Sequence, residues 1–553
     1  MQLAGGLERL PSEVLAHTAF FLAVRPTDGH AVAVGPPVDL LHFLLVSRRF
    51  YAELNPHTNA ALYARIFHAV FDSSAVLRRL GDDEVSAADL TTELQRRYLA
   101  LKHIRHRVAR HTGHPNVVDE HEAHSDPHLV DALWCAYFMI LEHDACNLEH
   151  LRWAHMSDFV DLHAVQTICG RLVQRQYPIA SPATCLAMHI RYLLAEFQLQ
   201  ARTDDQYTDE YDYLFLLLKP FVFAAYEYDM FFGPWNARTL PLGGNVPASD
   251  GSNCMLVRHC GHDLRLAVPP VSQAATSLLF KCTARAMHAS NLKTRLDARV
   301  LAAPPRPLSS RDFDLDFARL RHCYDCTCSP GLRLEDHCGR LAGVWEGRFA
   351  FFDLDAYRNM LDGSPAALYD GTFGEQTQVL RLSEAVVCMS SDGVAKYHEE
   401  IVVDDRVASD SDKAADASMP PSSVPVHGGQ QPFISHAQAD AIPPMDADTM
   451  LKEWRSLPFW NDDDPPQTQD ERRELLLYGT GHSAWGKFLV RGRVRAWDGL
   501  VILLKEYGPE RQGRWLYRGY CIAGRKMVGR WRDAFTPNVL HGYEGPYTLS
   551  RRS

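Results

Sequence analysis

Along the chain, apolar positions change their spacing from one region to the next, and each spacing predicts a different element. Near the N-terminus, "LPSEVLAHTAFFLA" and "DLLHFLLVSRRFYAELNP" carry more apolar residues than one narrow helical stripe can hold. The first has Val14, Leu15, Phe20, Phe21 and Leu22, the second Leu40, Leu41, Phe43, Leu44, Leu45 and Val46. Leu10-Pro11 followed by Ser12 and Glu13 reads as a helix start, because proline is tolerated in the first turn and serine and an acid suit the positive helix end. Helices this short cannot bury so much apolar area against each other, so a third helix or a partner chain is expected.

From residue 84 to 303 the apolar positions recur at three- and four-residue spacing, which predicts a helical domain. Trp134, Tyr137, Phe138 and Leu141 fall near one face and read as a packing stripe. The texture changes again after residue 341. Phe488, Val490, Gly492 and Val494 alternate with Leu489, Arg491, Arg493 and Arg495, and Trp515, Tyr517, Gly519 and Cys521 alternate with Arg514, Leu516, Arg518 and Tyr520. Turn sequences at 497–499, 508–513 and 523–526 connect such strands as successive hairpins. Recurrent Trp and Gly suit a small closed antiparallel barrel. A stretch rich in Ser, Asp, Ala and Pro interrupts it and is expected to be disordered. The expected organisation is α+β and multidomain: opening helices at 7–70, a helical domain at 84–303, barrel parts at 341–390 and 475–553, and an insertion at 391–450.

Composition bounds the partners. The chain has 553 residues, 46% of them hydrophobic and 23% charged, and its net charge of -11 argues against a nucleic-acid coat. Its longest apolar stretch, 213–235, is broken by Lys219, Pro220, Glu227 and Asp229, short of a membrane span. Thirteen cysteines, mostly single and within apolar segments, fit the reducing cytoplasm or nucleus. The chain shows no P-loop, no G-x-S-x-G and no H-E-x-x-H, so no catalytic site and no cofactor are expected.

The opening residues carry a resemblance. Leu10, Pro11, Glu13, Val14 and Leu15, then Leu41, Leu44, Val46, Ser47, Arg48 and Phe50, then Leu62, Tyr63 and Phe67 follow in the order of the F-box, with a longer first connection. The resemblance covers about residues 7–70. The barrel segments "WEGRFAFFDLDAYRNML" and "LYRGYCIAGRKMVGRWRD" also look like the C-terminal half of fungal, basidiomycete-type F-box proteins. The resemblance implies a non-catalytic substrate receptor of an SCF-type ubiquitin ligase. It would dock the linker Skp1, and through it a cullin-RING ligase, with Leu10, Pro11, Val14, Leu15, Leu41, Leu44, Val46 and Phe50.

Two further groups invite chemistry. Residues 485–533 hold twelve Lys or Arg against four acids. Arg491, Arg493, Arg495, Arg514 and Arg518 would form a patch able to hold a phosphate or an acidic degron, unless the acidic insertion folds over a solvated barrel face and neutralises it. Cys323, Cys326, Cys328 and Cys338, beside His337, are candidate zinc ligands without the regular paired spacing of a zinc ribbon, and Cys254, His259, Cys260 and His262 lie upstream. His111, His114, His121, His124 and His128 read as a solvated loop. The alternative to a ligase receptor is a barrel that binds a small molecule in a pocket lined by Trp515 and Tyr517.

Overall fold

In a computed structural model, the described residues are 9–26, 32–81, 84–111, 127–197, 207–228, 230, 232, 254–291, 307–325, 328–389, 395–401, 472–507, 513–536 and 542–552. The chain divides into two compact units. One comprises Met1–Tyr213, Cys254–Val271 and Pro307–Arg321, the other Leu214–Asn253, Ser272–Arg306 and His322–Ser553. The opening helices therefore share a unit with the helical region, and the range 84–303 is split between the two.

The first unit runs through α1 (Ser12–Val24), α2 (Val38–Leu44), α3 (Arg48–Leu54), α4 (Ala60–Val70), α5 (Ser74–Leu80), α6 (Ala87–His111), α7 (Pro127–Leu141), α8 (Asn147–Trp153), α9 (Met156–Val173) and α10 (Pro182–Glu196). A hairpin follows, β1 (Cys254–His259) and β2 (His262–Ala267). Local sequence sets the helix starts: Ser47, Asn59 and Ser181 side chains accept the first-turn N–H groups of Phe50, Leu62 and Thr184. α1 turns Leu15, Ala19 and Ala23 inward at four-residue steps and packs on α2, α3 and α4. α4 packs in turn on α6, and α6 on α7. The expected stripe of Trp134, Tyr137, Phe138 and Leu141 is buried. The Asp72 carboxylate accepts from the N–H groups of Ala145, Cys146 and Asn147, tying the end of α4 to the start of α8.

In the second unit, β3 (Gly343–Phe352), β4 (Phe373–Met389), β6 (Arg472–Ser483), β7 (Gly486–Val494), β8 (Val501–Tyr507), β9 (Arg514–Ile522), β10 (Lys526–Asp533) and β11 (Glu544–Arg551) form a closed antiparallel barrel; a further strand, β5 (Ala395–Ile401), pairs with the far half of β4. The sheet runs β3-β11-β10-β9-β8-β7-β6-β4, and pairing of β3 with β4 closes it. The two barrel parts thus join twice, through β4–β6 and β3–β11. Of the insertion expected to be disordered, 395–401 is strand, and the rest of 391–450 lies outside the described residues.

The predicted parity holds. Phe488, Val490, Val494, Tyr517 and Cys521 point into the barrel with Trp345, Phe349, Met527, Trp531, Tyr547 and Leu549, and Trp515 packs against them. Closing so small a barrel brings neighbouring backbones close at inward positions. A Cβ at Gly479 would lie 1.8 Å from the Arg381 carbonyl oxygen and one at Gly519 2.3 Å from that of Val528, so only glycine fits.

The described part of the apolar stretch at 213–235 covers part of the outer face. Its helix, Tyr207–Phe223, puts Phe223 5.0 Å from the Phe352 ring and 5.2 Å from Phe373. The interrupting Lys219 donates to the carbonyls of Tyr369 (2.9 Å) and Gly371 (2.6 Å), and burial lowers its amine to about 8. No helix among the described residues is long and apolar enough to cross a membrane.

Candidate docking surface

The opening helices bury one side and leave the other bare. Val14, Phe21, Val38, Leu41, Leu45, Val46 and Tyr51 are exposed, from 44% at Val14 to 70% at Leu45. Val38, Leu41 and the C-cap Leu45 stand at i, i+3 and i+7, one stripe along α2 and its cap, and Val14 and Phe21 at i and i+7 share a side of α1. A soluble surface carries apolar residues singly, whereas stripes of this kind mark an interaction face. The frame beneath is fixed: Arg49 donates to Glu53 (2.6 Å) and to the Leu10 carbonyl (3.0 Å), and Ser12 donates to Glu53 (2.8 Å). Hydrogen bonds from Arg49 and Ser12 hold the Glu53 carboxyl below its usual range.

Of the residues expected to dock a partner, Pro11, Val14, Leu41 and Val46 are exposed and Leu10 is half-buried. Leu15, Leu44 and Phe50 are corrected: they are buried and join the helices to each other. An all-round apolar pattern conceals which side meets the third helix. Phe21, Val38, Leu45 and Tyr51, absent from the expected set, stand on the bare side.

The arginines are not a free cationic patch. Arg491, Arg493 and Arg495 share the outer face, as alternation predicts, but all three are buried and paired with acids of the barrel itself. Glu506 takes Arg491 and, at 2.7 Å, Arg514. Glu474 lies 3.5 Å from Arg493, and Glu544 3.6 Å from Arg518. Asp498 receives Arg495 through two bonds of 2.8 and 2.5 Å, the Tyr520 hydroxyl at 2.7 Å and the Leu500 N–H at 3.1 Å. Phe232 covers Tyr520, edge to face at 5.1 Å. The neutralising acids come from the strands and from the β7–β8 turn, and part of the cover comes from a segment more than 200 residues earlier in the chain. An open cleft of about 740 Å³ in this unit is instead acidic, lined by Asp353, Asp355, Asp362 and Asp370.

Of the weak zinc candidates, the described ones, Cys323, Cys328 and Cys338, do not converge. The Cys323 thiol is buried and donates to the Trp497 carbonyl at 3.0 Å; Cys338 donates to Leu334, Cys328 is exposed, and His337 contacts the Ala496 carbonyl. Cys326 lies outside the described residues, as do most of the histidines at 111–128. Among the described residues, ligand atoms within 4.8 Å of one another occur instead on Glu93, His259 and Cys260.

The barrel interior holds a residue that alternation could not reveal. Lys505 pairs with Val490 and Trp515, both inward, so it points inward too. Its Nζ donates to Gln378 Oε1 (2.8 Å) and lies 4.1 Å from the Phe488 ring centre and 4.9 Å from those of Phe349 and Tyr507. Burial holds this amine well below the usual lysine range. Tyr517, the expected pocket lining, is part of the same packing. No family model, curated protein or solved structure matches the chain.

Proposed function

We propose that the chain is a non-enzymatic adaptor that docks a Skp1-type linker through its opening helices and so serves as an SCF substrate receptor. The observation that carries this reading is the pair of bare apolar stripes on α1 and α2, set on a fixed three-helix frame at the residues that resemble an F-box. Such a face gains free energy by leaving water, at roughly 25 cal/mol per Å² of apolar surface. Target recruitment then falls to the barrel unit, whose outer arginines are committed to internal pairs, so a phosphate-reading mode is not part of the proposal.

The test is co-expression with a Skp1-type linker followed by gel filtration. Co-elution that withstands dilution supports the reading. Elution of the two proteins apart, with the chain folded by circular dichroism, removes it. Deleting residues 1–70 would be a poor control, because α4 packs on α6 and its loss would open the core of the first unit. Point changes on the bare stripes avoid that damage.

A further inference from the structure

The tip of the β1–β2 hairpin enters the first unit against α6. His259 pairs with His262, which leaves Cys260 and Gly261 as a two-residue turn with φ of 45° and 86°. Left-handed backbone at both positions is usually filled by Asn-Gly, and a cysteine there carries a conformational cost of about 1–2 kcal/mol. The turn fits closely, since a Cβ at Gly261 would lie 2.3 Å from the Asp89 carboxyl, and Cys260 N–H donates to Glu93 Oε2 at 3.2 Å.

This tip carries a nitrogen and a sulfur ligand into a place that already holds two carboxylates. Glu93, Glu142, His259 and Cys260 are all buried, and so is Arg97. His259 Nε2 lies 2.8 Å from Glu142 Oε1 and 4.0 Å from Cys260 Sγ, and His259 Nδ1 lies 3.4 Å from Glu93 Oε1. Beyond these ion-pair contacts, Glu142 Oε1 and His259 Nδ1 make no well-aligned hydrogen bond. Arg97 bonds both acids, Glu93 at 3.1 Å and Glu142 at 2.6 Å.

We infer that Glu93, His259 and Cys260, with Glu142 beside them, form a closed structural site for one zinc ion that pins the hairpin to α6. Zinc takes thiolate, imidazole and carboxylate together at about 2.0–2.3 Å, so ligand atoms within 4.8 Å of one another need only a small inward movement. Charge balances as well. One divalent cation, one thiolate, two carboxylates and the Arg97 guanidinium sum to zero. The metal-free cluster reaches the same sum with a thiol and an imidazolium, so loading releases one proton from sulfur and one from nitrogen. No step is oxidative.

The experiment uses the full chain purified without chelator. Plasma mass spectrometry is expected to find about one zinc per chain. Cobalt exchanged into the site is expected to give the near-ultraviolet thiolate band and the visible bands of a tetrahedral ion. Cys260→Ser should remove the thiolate band, while Cys328→Ser, at an exposed position, should keep both zinc and band. If Cys260→Ser fails to fold, the intact chain still decides: a zinc-selective chelator should lower its melting temperature. A folded intact chain with no zinc and no cobalt thiolate band overturns the inference, as does zinc that Cys260→Ser leaves in place.

Discussion

Replacing Asp498 with alanine separates a structural role for the barrel arginines from a recognition role. Asp498 is fully buried and accepts from Arg495, Tyr520 and the Leu500 N–H. Burial pushes its carboxyl up, but the Arg495 charge and these hydrogen bonds outweigh burial and leave it below its usual range. Removing it takes a charged, hydrogen-bonded partner from a guanidinium that is 7% exposed, and an acceptor from a buried hydroxyl and an N–H. Breaking a buried pair in this way costs about 3–5 kcal/mol, whereas an exposed pair contributes about 0–1 kcal/mol. Urea unfolding followed by tryptophan fluorescence reads this, because Trp345 and Trp531 lie inside the barrel. With two units the curves need separate transitions, and the later comparison uses the barrel transition alone. Replacing both partners, Arg495→Met with Asp498→Leu, should recover much of the loss because no charge is left unpaired. A loss below about 1 kcal/mol in Asp498→Ala would refute the reasoning, since that is the behaviour of a solvated patch.

Other outcomes follow from single residues. His150 and His189 are buried, and desolvation lowers each to about 4, while an unfolded histidine takes its proton near 6.5. Their stabilisation is therefore complete above about pH 6.5 and lost as pH falls toward 4, by up to about 3 kcal/mol each, and acid unfolding of His150→Gln should show a shallower pH dependence. Gly479→Ala should destabilise the barrel by more than about 3 kcal/mol, whereas Gly170→Ala, within α9 with open space around it, should be neutral or stabilising by up to about 1 kcal/mol; thermal melts of both check the pair. Lys505→Met should not destabilise the barrel near neutral pH. The lowered lysine makes the intact chain gain stability as pH rises toward the ordinary lysine range, and the variant should lose that slope in urea titrations from pH 7 to 10.

Alternation made the barrel legible, and its limits explain what stayed hidden. Strands β7 and β9 mix apolar and charged residues, so their inward sets, Phe488 to Val494 and Trp515 to Cys521, could be read directly. Strand β8, "VILLKEY", is apolar almost throughout, and only its pairing with β7 and β9 shows that Lys505 points inward. The pairing of Arg491, Arg493 and Arg495 depends on acids at 474, 498 and 506, and Tyr520, which shares Asp498 with Arg495, is covered by the remote Phe232; no local pattern encodes either. On α1 and α2, apolar residues on all sides left core and bare positions indistinguishable until α4 was in place. The described zinc candidates Cys323, Cys328 and Cys338 are near one another in sequence but do not converge, while Glu93 and Cys260 are 167 residues apart and meet.

The most direct test of the adaptor reading is a titration of purified Skp1-type linker into the full chain and into a Leu41→Asp, Leu45→Asp variant. Both leucines are exposed, so the variant should fold as the parent does. Placing charges where apolar surface must be buried should weaken binding at least about 100-fold, or about 2.7 kcal/mol. Tight binding by the intact chain and its loss in the variant is the result the account predicts. Equal binding by both, or none by the folded intact chain, would contradict it.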